Sequence, residues 1–284
     1  MPENPWSAPL VDLHQHTDYY HRPDGPLLDH GRNLGVARSI LLPGAGWMIA
    51  GAPCGGNDWC RKLEAAHPGH FVRFTTADPV EPDAIRIMEA DLKTGAIGIG
   101  EQKFGVPVDG PQMAKVFDLA RAYRVPVLIH FEHETYNLGI INFEKILRAY
   151  PDVTFIGHAQ TWWSNISAAG EQKDLYPIGK VTPGGLTDRL LADYPNLYGD
   201  LSAGSGLNAM RRDPDFARGF ITRHRHKLIW GSDCPCHDGA GGSWKQKMCI
   251  GRECLNALWK MCANPLHFRD LVWNNAFRAM PGLR

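Results

Sequence analysis

The segment Leu10-Val-Asp-Leu-His-Gln-His16 decides the fold assignment, because it joins a short apolar run to two closely spaced histidines. Successive side chains along a strand point to opposite faces, so His14 and His16 project to the same side. A polar side chain at the end of an apolar strand costs free energy unless it is paired or bound to a ligand. The segment therefore predicts a strand that delivers two imidazoles to one point.

Seven further apolar, β-rich runs follow, and helical patterns alternate with them. Nearly continuous apolar runs are typical of parallel strands that are covered on both faces. The alternative to a closed barrel is an open doubly wound sheet, which needs a glycine-rich phosphate turn after an early strand. The candidate Gly95-x-x-Gly98-x-Gly100 lies inside a strand instead. The eight predicted strands are Leu10–His14, Ala37–Leu42, Phe71–Thr76, Ala96–Glu101, Val125–His130, Thr154–His158, Leu197–Ser202 and Lys227–Ser232.

Eight strand–helix alternations in 284 residues favour one α/β domain over residues 1–284, a (β/α)8 TIM barrel. Two longer insertions, Trp47–His67 and Trp162–Thr187, follow predicted strands. Loops that follow barrel strands lie at the C-terminal face, so we expect both insertions to cover a pocket there. Apolar spacing predicts helices over Pro82–Leu92, Pro111–Tyr123, Phe143–Tyr150 and Leu186–Tyr194, with a last helix over Pro265–Met280 that packs on the barrel exterior or closes its bottom.

Composition and charge argue against several classes of partner. Lys plus Arg equals Asp plus Glu, 30 each, which gives no electrostatic reason to expect nucleic acid or an anionic membrane surface. Residues Met1–Leu10 lack the pattern of a signal peptide, and the most apolar stretch, Ser39–Pro53, is too interrupted to span a bilayer. We therefore expect a cytoplasmic protein with a small-molecule partner, and the sequence leaves a homo-oligomer open.

The seven cysteines form an odd set in a chain without an export signal, which favours reduced thiols. The alternative is a small zinc site made by Cys234, Cys236 and His237 with a distant cysteine. Because Cys-x-Cys-His is not a standard zinc spacing, the sequence argues against that site.

Polar side chains recur at the ends of the predicted strands. The C-terminal ends of parallel strands converge at one face only if the sheet closes, so these groups can meet around one cation. Imidazoles and carboxylates suit zinc best, and also manganese, iron or nickel. The residues are His14 and His16 on the first strand, Glu101 and Lys103 on the fourth, His130 on the fifth, His158 on the sixth and Asp233 on the eighth.

This constellation resembles the amidohydrolase superfamily, in particular the amidohydrolase-related proteins that include aminocarboxymuconate semialdehyde decarboxylase, resorcylate decarboxylases and sugar lactonases. The resemblance runs from Val11 to Ala276 and includes Leu228-Ile-Trp-Gly-Ser-Asp233 and the terminal Trp273-Asn-Asn-Ala-Phe. It implies that His14, His16, His130 and Asp233 bind a divalent metal. It further implies that His158 is a ligand or the acid/base group, and that Asp233 takes the proton from the attacking water.

One segment departs from this family pattern and bears on how many metal ions the site binds. The segment Ile99-Gly-Glu101 resembles the strand end of TatD-like nucleases and related two-metal hydrolases, in which the glutamate bridges or binds a second ion. Lys103 faces the same way as Glu101, and in other branches a carboxylated lysine at this strand bridges two ions. Glu101 is thus a predicted ligand, with an ion pair to Lys103 as the alternative, and one ion or two stay open.

Four residues are candidates for substrate binding: Tyr19, Lys103, His133 and Trp162. For His133 the alternative is a solvated loop position, and for Trp162 it is core packing.

The leading hypothesis is a metal-dependent hydrolase, with Asp233 and His158 as catalytic groups, that activates water to attack a small-molecule ester, lactone or amide. The alternative is a metal-dependent decarboxylase of an aromatic or unsaturated acid, in which Lys103 grips the carboxylate. A TatD-like nuclease is the third interpretation.

Overall fold

The computed structural model describes residues 9–45 and 53–283 of the chain, and strands alternate with helices throughout. Each strand begins within three residues of its predicted start. The agreement arises because the apolar runs in the sequence are the segments that the barrel buries. The strands are β1 Leu10–Gln15, β2 Val36–Leu41, β3 Phe71–Arg73, β4 Ile99–Gln102, β5 Val127–His130, β6 Phe155–His158, β7 Leu197–Asp200 and β8 Leu228–Ile229.

The helices also follow the predicted pattern, and α4 has the predicted bounds. The last predicted helix is divided by one π-helical segment, Asp270–Asn274, which joins α11 to α12. The helices are α1 Asp24–Leu34, α2 Asn57–Ala66, α3 Ala84–Lys93, α4 Pro111–Tyr123, α5 Phe143–Ala149, α6 Gln160–Ser164, α7 Leu186–Asp193, α8 Ala203–Arg211, α9 Pro214–Arg223, α10 Ile250–Met261, α11 Pro265–Arg269 and α12 Asn275–Ala279.

The strands form a closed parallel barrel, which confirms the predicted (β/α)8 fold. Parallel pairing joins β1 to β3 in chain order and β4 to β8 in chain order. A parallel bridge between Thr75 and Ile99 connects the first group to the second. At the other seam, the Leu13 amide donates to the Trp230 carbonyl at 3.3 Å, so the end of β8 returns to β1.

The barrel interior is apolar and is completed by the C-terminal segment. Leu13 on β1, Ile156 on β6 and Phe74 directly after β3 belong to one buried apolar cluster. Met280 and Leu283 belong to the same cluster, and both are fully buried. The last segment of the chain therefore closes the bottom of the barrel, which leaves the C-terminal ends of the strands as the face open to ligands.

The first of the two predicted insertions, Trp47–His67, covers that face only in part. The second half of Trp47–His67 is α2, the regular outer helix between β2 and β3, where Cys60 and Leu63 pack against Phe71. Residues 46–52 lie outside the described part of the chain. Residues 53–55 do cover the end of β1, since the Tyr20 amide donates to the Pro53 carbonyl and the Gly55 amide donates to Thr17 Oγ1.

Among the described residues, none of the helices combines the length and the apolar character that crossing a membrane requires.

Replacing Met280 by alanine should lower the free energy of unfolding by about 2–5 kcal/mol, because it removes a fully buried side chain from the interior cluster and leaves a cavity. The matched control is Ile178→Ala, at an apolar side chain that is 92% exposed, which should change stability by less than about 0.5 kcal/mol. Urea unfolding followed by tryptophan fluorescence measures both. Equal losses in the two variants would show that the C-terminal segment does not complete the core.

Candidate metal centre

Five strand ends place imidazoles and carboxylates around one point at the C-terminal face. His14 lies in β1 and His16 follows it, while Glu101 lies in β4. The remaining groups are His130 at the end of β5, His158 at the end of β6 and Asp233 shortly after β8. All are buried except Asp233, whose side chain is 13% exposed. The structure thus brings together all six of the predicted ligands.

The ligand atoms of His14 and His16 lie at coordinating distances from Glu101 and, separately, from Asp233. His14 Nε2 and His16 Nε2 are 3.2 Å apart. Glu101 Oε2 lies 3.8 and 3.7 Å from these two nitrogens, and Asp233 Oδ1 lies 3.9 and 3.6 Å from them. Neighbouring ligands of a tetrahedral ion with bonds of about 2.0–2.2 Å are about 3.3–3.6 Å apart. Small side-chain adjustments would therefore suffice to coordinate a divalent ion.

The two carboxylate oxygens of this group give an independent indication. Glu101 Oε2 and Asp233 Oδ1 are both buried, and neither has a hydrogen-bond partner among the described residues. A buried carboxylate oxygen without a partner is costly unless a cation balances it. The donor set of imidazoles and carboxylates is one that zinc, manganese and iron accept. The residues present therefore fit a divalent metal.

Glu101 also faces a second group of ligands through its other oxygen. Glu101 Oε1 is hydrogen-bonded to His130 Nδ1 and lies 3.7 Å from His158 Nε2. The remaining nitrogen of His130, Nε2, lies 3.3 Å from Glu132 Oε2. Glu101, His130 and His158 thus form a second candidate group, but a direct hydrogen bond already occupies part of it.

Asp200, at the end of β7, contacts the Nδ1 atoms of two of the imidazoles and so orients their rings. Its Oδ2 lies 2.7 Å from His14 Nδ1 and 3.0 Å from His158 Nδ1, and Ser202 Oγ donates to the same oxygen at 2.9 Å. A carboxylate on the far nitrogen of a metal-binding histidine fixes the ring orientation and its tautomer. Sequence reasoning missed Asp200, although it ends an apolar run just as the predicted ligands do.

The pKa shifts in this region reflect an excess of buried carboxylates. Burial alone lowers the pKa of His14, but the carboxylates of Asp233, Asp200 and Glu101 outweigh it and raise that pKa to about 10. Burial and the adjacent His14 lower the pKa of His16 to about 4. Desolvation raises the pKa of Glu101, yet His130 and Lys103 outweigh it and hold that pKa well below its usual range. The site therefore favours a positive charge, which a proton or a metal ion can supply.

Asp233 is held in place by hydrogen bonds to β1. Its amide donates to the His14 carbonyl at 2.8 Å, and its backbone φ of 42° lies in the left-handed region. The preceding Ser232 donates from its amide to Asp12 Oδ1 at 2.8 Å and from its hydroxyl to Asp12 Oδ2 at 2.5 Å. Strained backbone of this kind persists where surrounding bonds determine it, as they do here.

A cavity of about 300 Å³ opens at the C-terminal face, and four of the candidate ligands line it: Glu101, His130, His158 and Asp233. Tyr19 and Lys103 line it as well, and Lys103 Nζ lies 5.0 Å from the centre of the Tyr136 ring. Tyr176, from the second insertion, closes one side. The cavity contains aromatic and cationic groups beside the candidate metal ligands.

Two predicted substrate-binding residues are not placed at this cavity. Trp162 is fully buried in the core, with its ring centre 6.1 Å from Phe131 and 6.3 Å from Phe143. The His133 side chain is 32% exposed and lies 3.6 Å from Glu134. Trp162 directs its ring inward from α6, and His133 lies in a solvent-facing turn, so neither contributes to the cavity wall.

The substitution Asp200→Asn should weaken zinc binding at this centre by about 10–100-fold, because the carboxylate no longer orients His14 and His158. The matched control is Asp215→Asn, at a side chain that is 85% exposed, which should leave the affinity unchanged. Competition with a chromophoric chelator measures the affinity of each variant. Unchanged binding in Asp200→Asn would exclude the positioning role.

Solved structures with similar folds include both hydrolases and decarboxylases. A probable 2-pyrone-4,6-dicarboxylic acid hydrolase from Acinetobacter baumannii, with citric acid bound, has a TM-score of 0.64 and 12% identity over 95% of this chain and 98% of its own. The 2,6-dihydroxybenzoate decarboxylase from Rhizobium has a TM-score of 0.56 and 12% identity over 95% of this chain and 98% of its own.

A third similar structure holds a metal. The 5-carboxyvanillate decarboxylase from Novosphingobium aromaticivorans, in complex with manganese and a nitrobenzoic acid, has a TM-score of 0.53 and 14% identity over 89% of this chain and 78% of its own. Identities this low support the shared fold and nothing finer.

A search of curated proteins found no significant match. The family model described as amidohydrolase matches residues 11–246, which covers every strand from β2 to β8 and nearly all of β1, together with all six candidate ligands. The chain therefore belongs to the amidohydrolase family.

Proposed function

We propose that the protein is a metal-dependent hydrolase that acts on a small molecule with an ester, lactone or amide carbonyl. The observation that carries this proposal is the pair of unpartnered carboxylate oxygens, Glu101 Oε2 and Asp233 Oδ1, beside the Nε2 atoms of His14 and His16. Zinc is the metal that we favour for this donor set, and the manganese of a structurally similar decarboxylase makes that ion a second candidate.

His14, His16, Glu101 and Asp233 would hold the principal ion. A divalent ion there would polarise a substrate carbonyl and make water more acidic. A second ion would have to use Glu101 Oε1 with His130 and His158, which form the neighbouring candidate group. Because His130 already bonds that oxygen, we assign the principal site first and expect a second ion to bind more weakly.

Asp233 and His158 are suited to move the proton. Asp233 is the one candidate ligand that is partly exposed to the cavity, so its carboxylate can take a proton from a water molecule beside it. Its Oδ2 lies 3.8 Å from His158 Nε2. Asp200 and Ser202 contact the other nitrogen of His158, which fixes Nε2 toward the cavity. His158 can thus pass the proton to a leaving group.

The cavity indicates the size and charge of the substrate. A volume of about 300 Å³ lies at the lower end of small-molecule sites and is too small for a polynucleotide. Lys103 lines the cavity although it is only 2% exposed, and a cation held there favours an anionic group on the substrate. Burial raises the pKa of Tyr19 well above its usual value, so its hydroxyl stays protonated and can donate to that substrate.

The position of Lys103 also supports the second candidate, a metal-dependent decarboxylase of an aromatic or unsaturated acid. Such an enzyme needs a cation that grips the substrate carboxylate, and aromatic side chains such as Tyr19 and Trp244 line the same cavity. A TatD-like nuclease, the third interpretation, has less support because the charge of the chain is balanced and the cavity is small.

Asp233→Asn should lower kcat by about 10²–10⁴-fold, since it removes both a candidate ligand and the proton acceptor. The assay uses a panel of esters, lactones and amides with zinc or manganese added, and acid release is the readout. Asp215→Asn serves as the exposed control and should keep full activity. An equally active Asp233→Asn variant, or wild-type activity that survives complete chelation, would refute the proposal.

Lys103→Met should raise KM by about 10–100-fold for substrates that carry a carboxylate, because a hydrogen bond to a charged group contributes about 1.5–3 kcal/mol. For neutral esters of the same size, KM should change little. Measuring carbon dioxide release with aromatic acids in parallel separates the two candidates: release without acid production would favour the decarboxylase. Equal effects on charged and neutral substrates would show that Lys103 does not bind the anionic group.

A further inference from the structure

A second cluster of metal-binding side chains lies apart from the candidate metal centre, and we call it the cysteine cluster. It consists of His30 on α1, Cys234 and Cys236 in the loop after β8, and Cys249 at the start of α10. All four residues are buried. One ligand atom of each lies within 4.8 Å of the ligand atoms of the other three. The cluster therefore joins α1 to the segment between β8 and α10, about 200 residues later in the sequence.

The distances within the cluster match those of a tetrahedral zinc site. Cys234 Sγ lies 3.8 Å from Cys249 Sγ, and Cys249 Sγ lies 3.5 Å from His30 Nε2. A tetrahedral zinc ion with bonds of about 2.3 Å to sulfur and about 2.0–2.1 Å to nitrogen separates two sulfurs by about 3.8 Å, and a sulfur from a nitrogen by about 3.6 Å. A disulfide would need its sulfurs about 2.05 Å apart, and all these cysteines are free.

Ordinary packing does not account for His30. Its Nε2 faces a thiol, and its Nδ1 has no hydrogen-bond partner among the described residues. Burying an imidazole with so little hydrogen bonding costs free energy that a metal–nitrogen bond would offset. If the three cysteines were only buried core thiols, nothing would explain why a buried imidazole lies beside them.

The surroundings also suit thiolates rather than thiols. Cys249 is the N-cap residue of α10, and its Sγ accepts a hydrogen bond from the Arg252 amide at 3.4 Å. The guanidinium of Arg22, which is fully buried, donates to the carbonyls of Cys234 and Cys236 at 2.8 and 3.0 Å. A helix N-terminus and a nearby guanidinium both favour negative charge on sulfur.

We propose that His30, Cys234, Cys236 and Cys249 form a structural zinc site of the Cys3His type, distinct from the candidate metal centre. Four protein ligands complete the tetrahedron and leave no position for water or substrate, which is the pattern of structural sites. The histidine of this site is His30, which has a ring nitrogen within 4.8 Å of the three sulfurs, and not His237, which belongs to no such group among the described residues.

The location gives the site a positioning role. Cys234 directly follows Asp233, and Pro235, Met248 and Ile250 of the same segment line the cavity. A zinc ion bound here would fix this segment to α1 and so hold one wall of the cavity. The proposal does not depend on the reaction that the candidate metal centre performs.

The experiment uses the full chain, produced with zinc, and combines elemental analysis with X-ray absorption at the zinc edge. In the variant His16→Ala, which weakens the candidate metal centre, we expect one zinc per chain with three sulfur neighbours at about 2.3 Å and one nitrogen at about 2.0–2.1 Å. Adding Cys249→Ser to that variant should remove this zinc. Adding Cys262→Ser instead, at a partly exposed thiol outside the cluster, should retain it.

A second measurement covers the case in which Cys249→Ser does not fold. Cobalt(II) added to the metal-free wild-type chain should give the intense thiolate-to-cobalt charge-transfer absorption of a sulfur-rich site, and zinc should abolish it. Any of three results would overturn the proposal: a zinc shell without sulfur, cobalt spectra without that absorption, or a disulfide between Cys234 and Cys249 found by mass spectrometry in the freshly purified protein.

Discussion

The burial of several carboxylates beside imidazoles at one end of a closed barrel is the constraint on which the rest of the structure depends. Asp200, Glu101 and Asp233 are all mostly or fully buried, and each of the three keeps one oxygen without a hydrogen-bond partner among the described residues. Such an arrangement is unfavourable unless positive charge enters it. The proton favoured on His14 and the metal ion that we propose are alternative ways to supply that charge.

The seam between the last and first strands determines the geometry of this site. Asp12 on β1 holds Ser232, and the His14 carbonyl accepts from the amide of Asp233. Arg22 contacts both sides, since it donates to the His16 carbonyl and to the carbonyl of Cys234. The cysteine cluster lies directly beyond this seam, so a metal there would stabilise the same junction from outside the cavity.

Much of this arrangement could be predicted from the sequence, because it follows from local patterns. Apolar runs marked all eight strands, and polar residues at their ends, such as His130, marked the groups that converge when the sheet closes. The same rule would have found Asp200, had it been applied to the seventh strand. Glu132 has no such signal, since its contact with His130 arises from a turn in the loop.

The failures share a physical cause: sequence spacing describes neighbours along the chain and not across the fold. The spacing of Cys234, Cys236 and His237 argued against a zinc site, and it could not show that α1 brings His30 to these cysteines from more than 200 residues away. Trp162 follows a candidate ligand in the sequence by four residues, yet α6 turns its ring into the aromatic core. Side-chain direction after a strand depends on packing that no short motif encodes.

The most direct test of the central claim is anomalous diffraction at the zinc absorption edge from crystals of the zinc-loaded protein. We expect a peak between the imidazoles of His14 and His16 and the carboxylates of Glu101 and Asp233. A fully loaded crystal with no peak at that position would contradict it, and the buried carboxylates would then have to be balanced by protons alone.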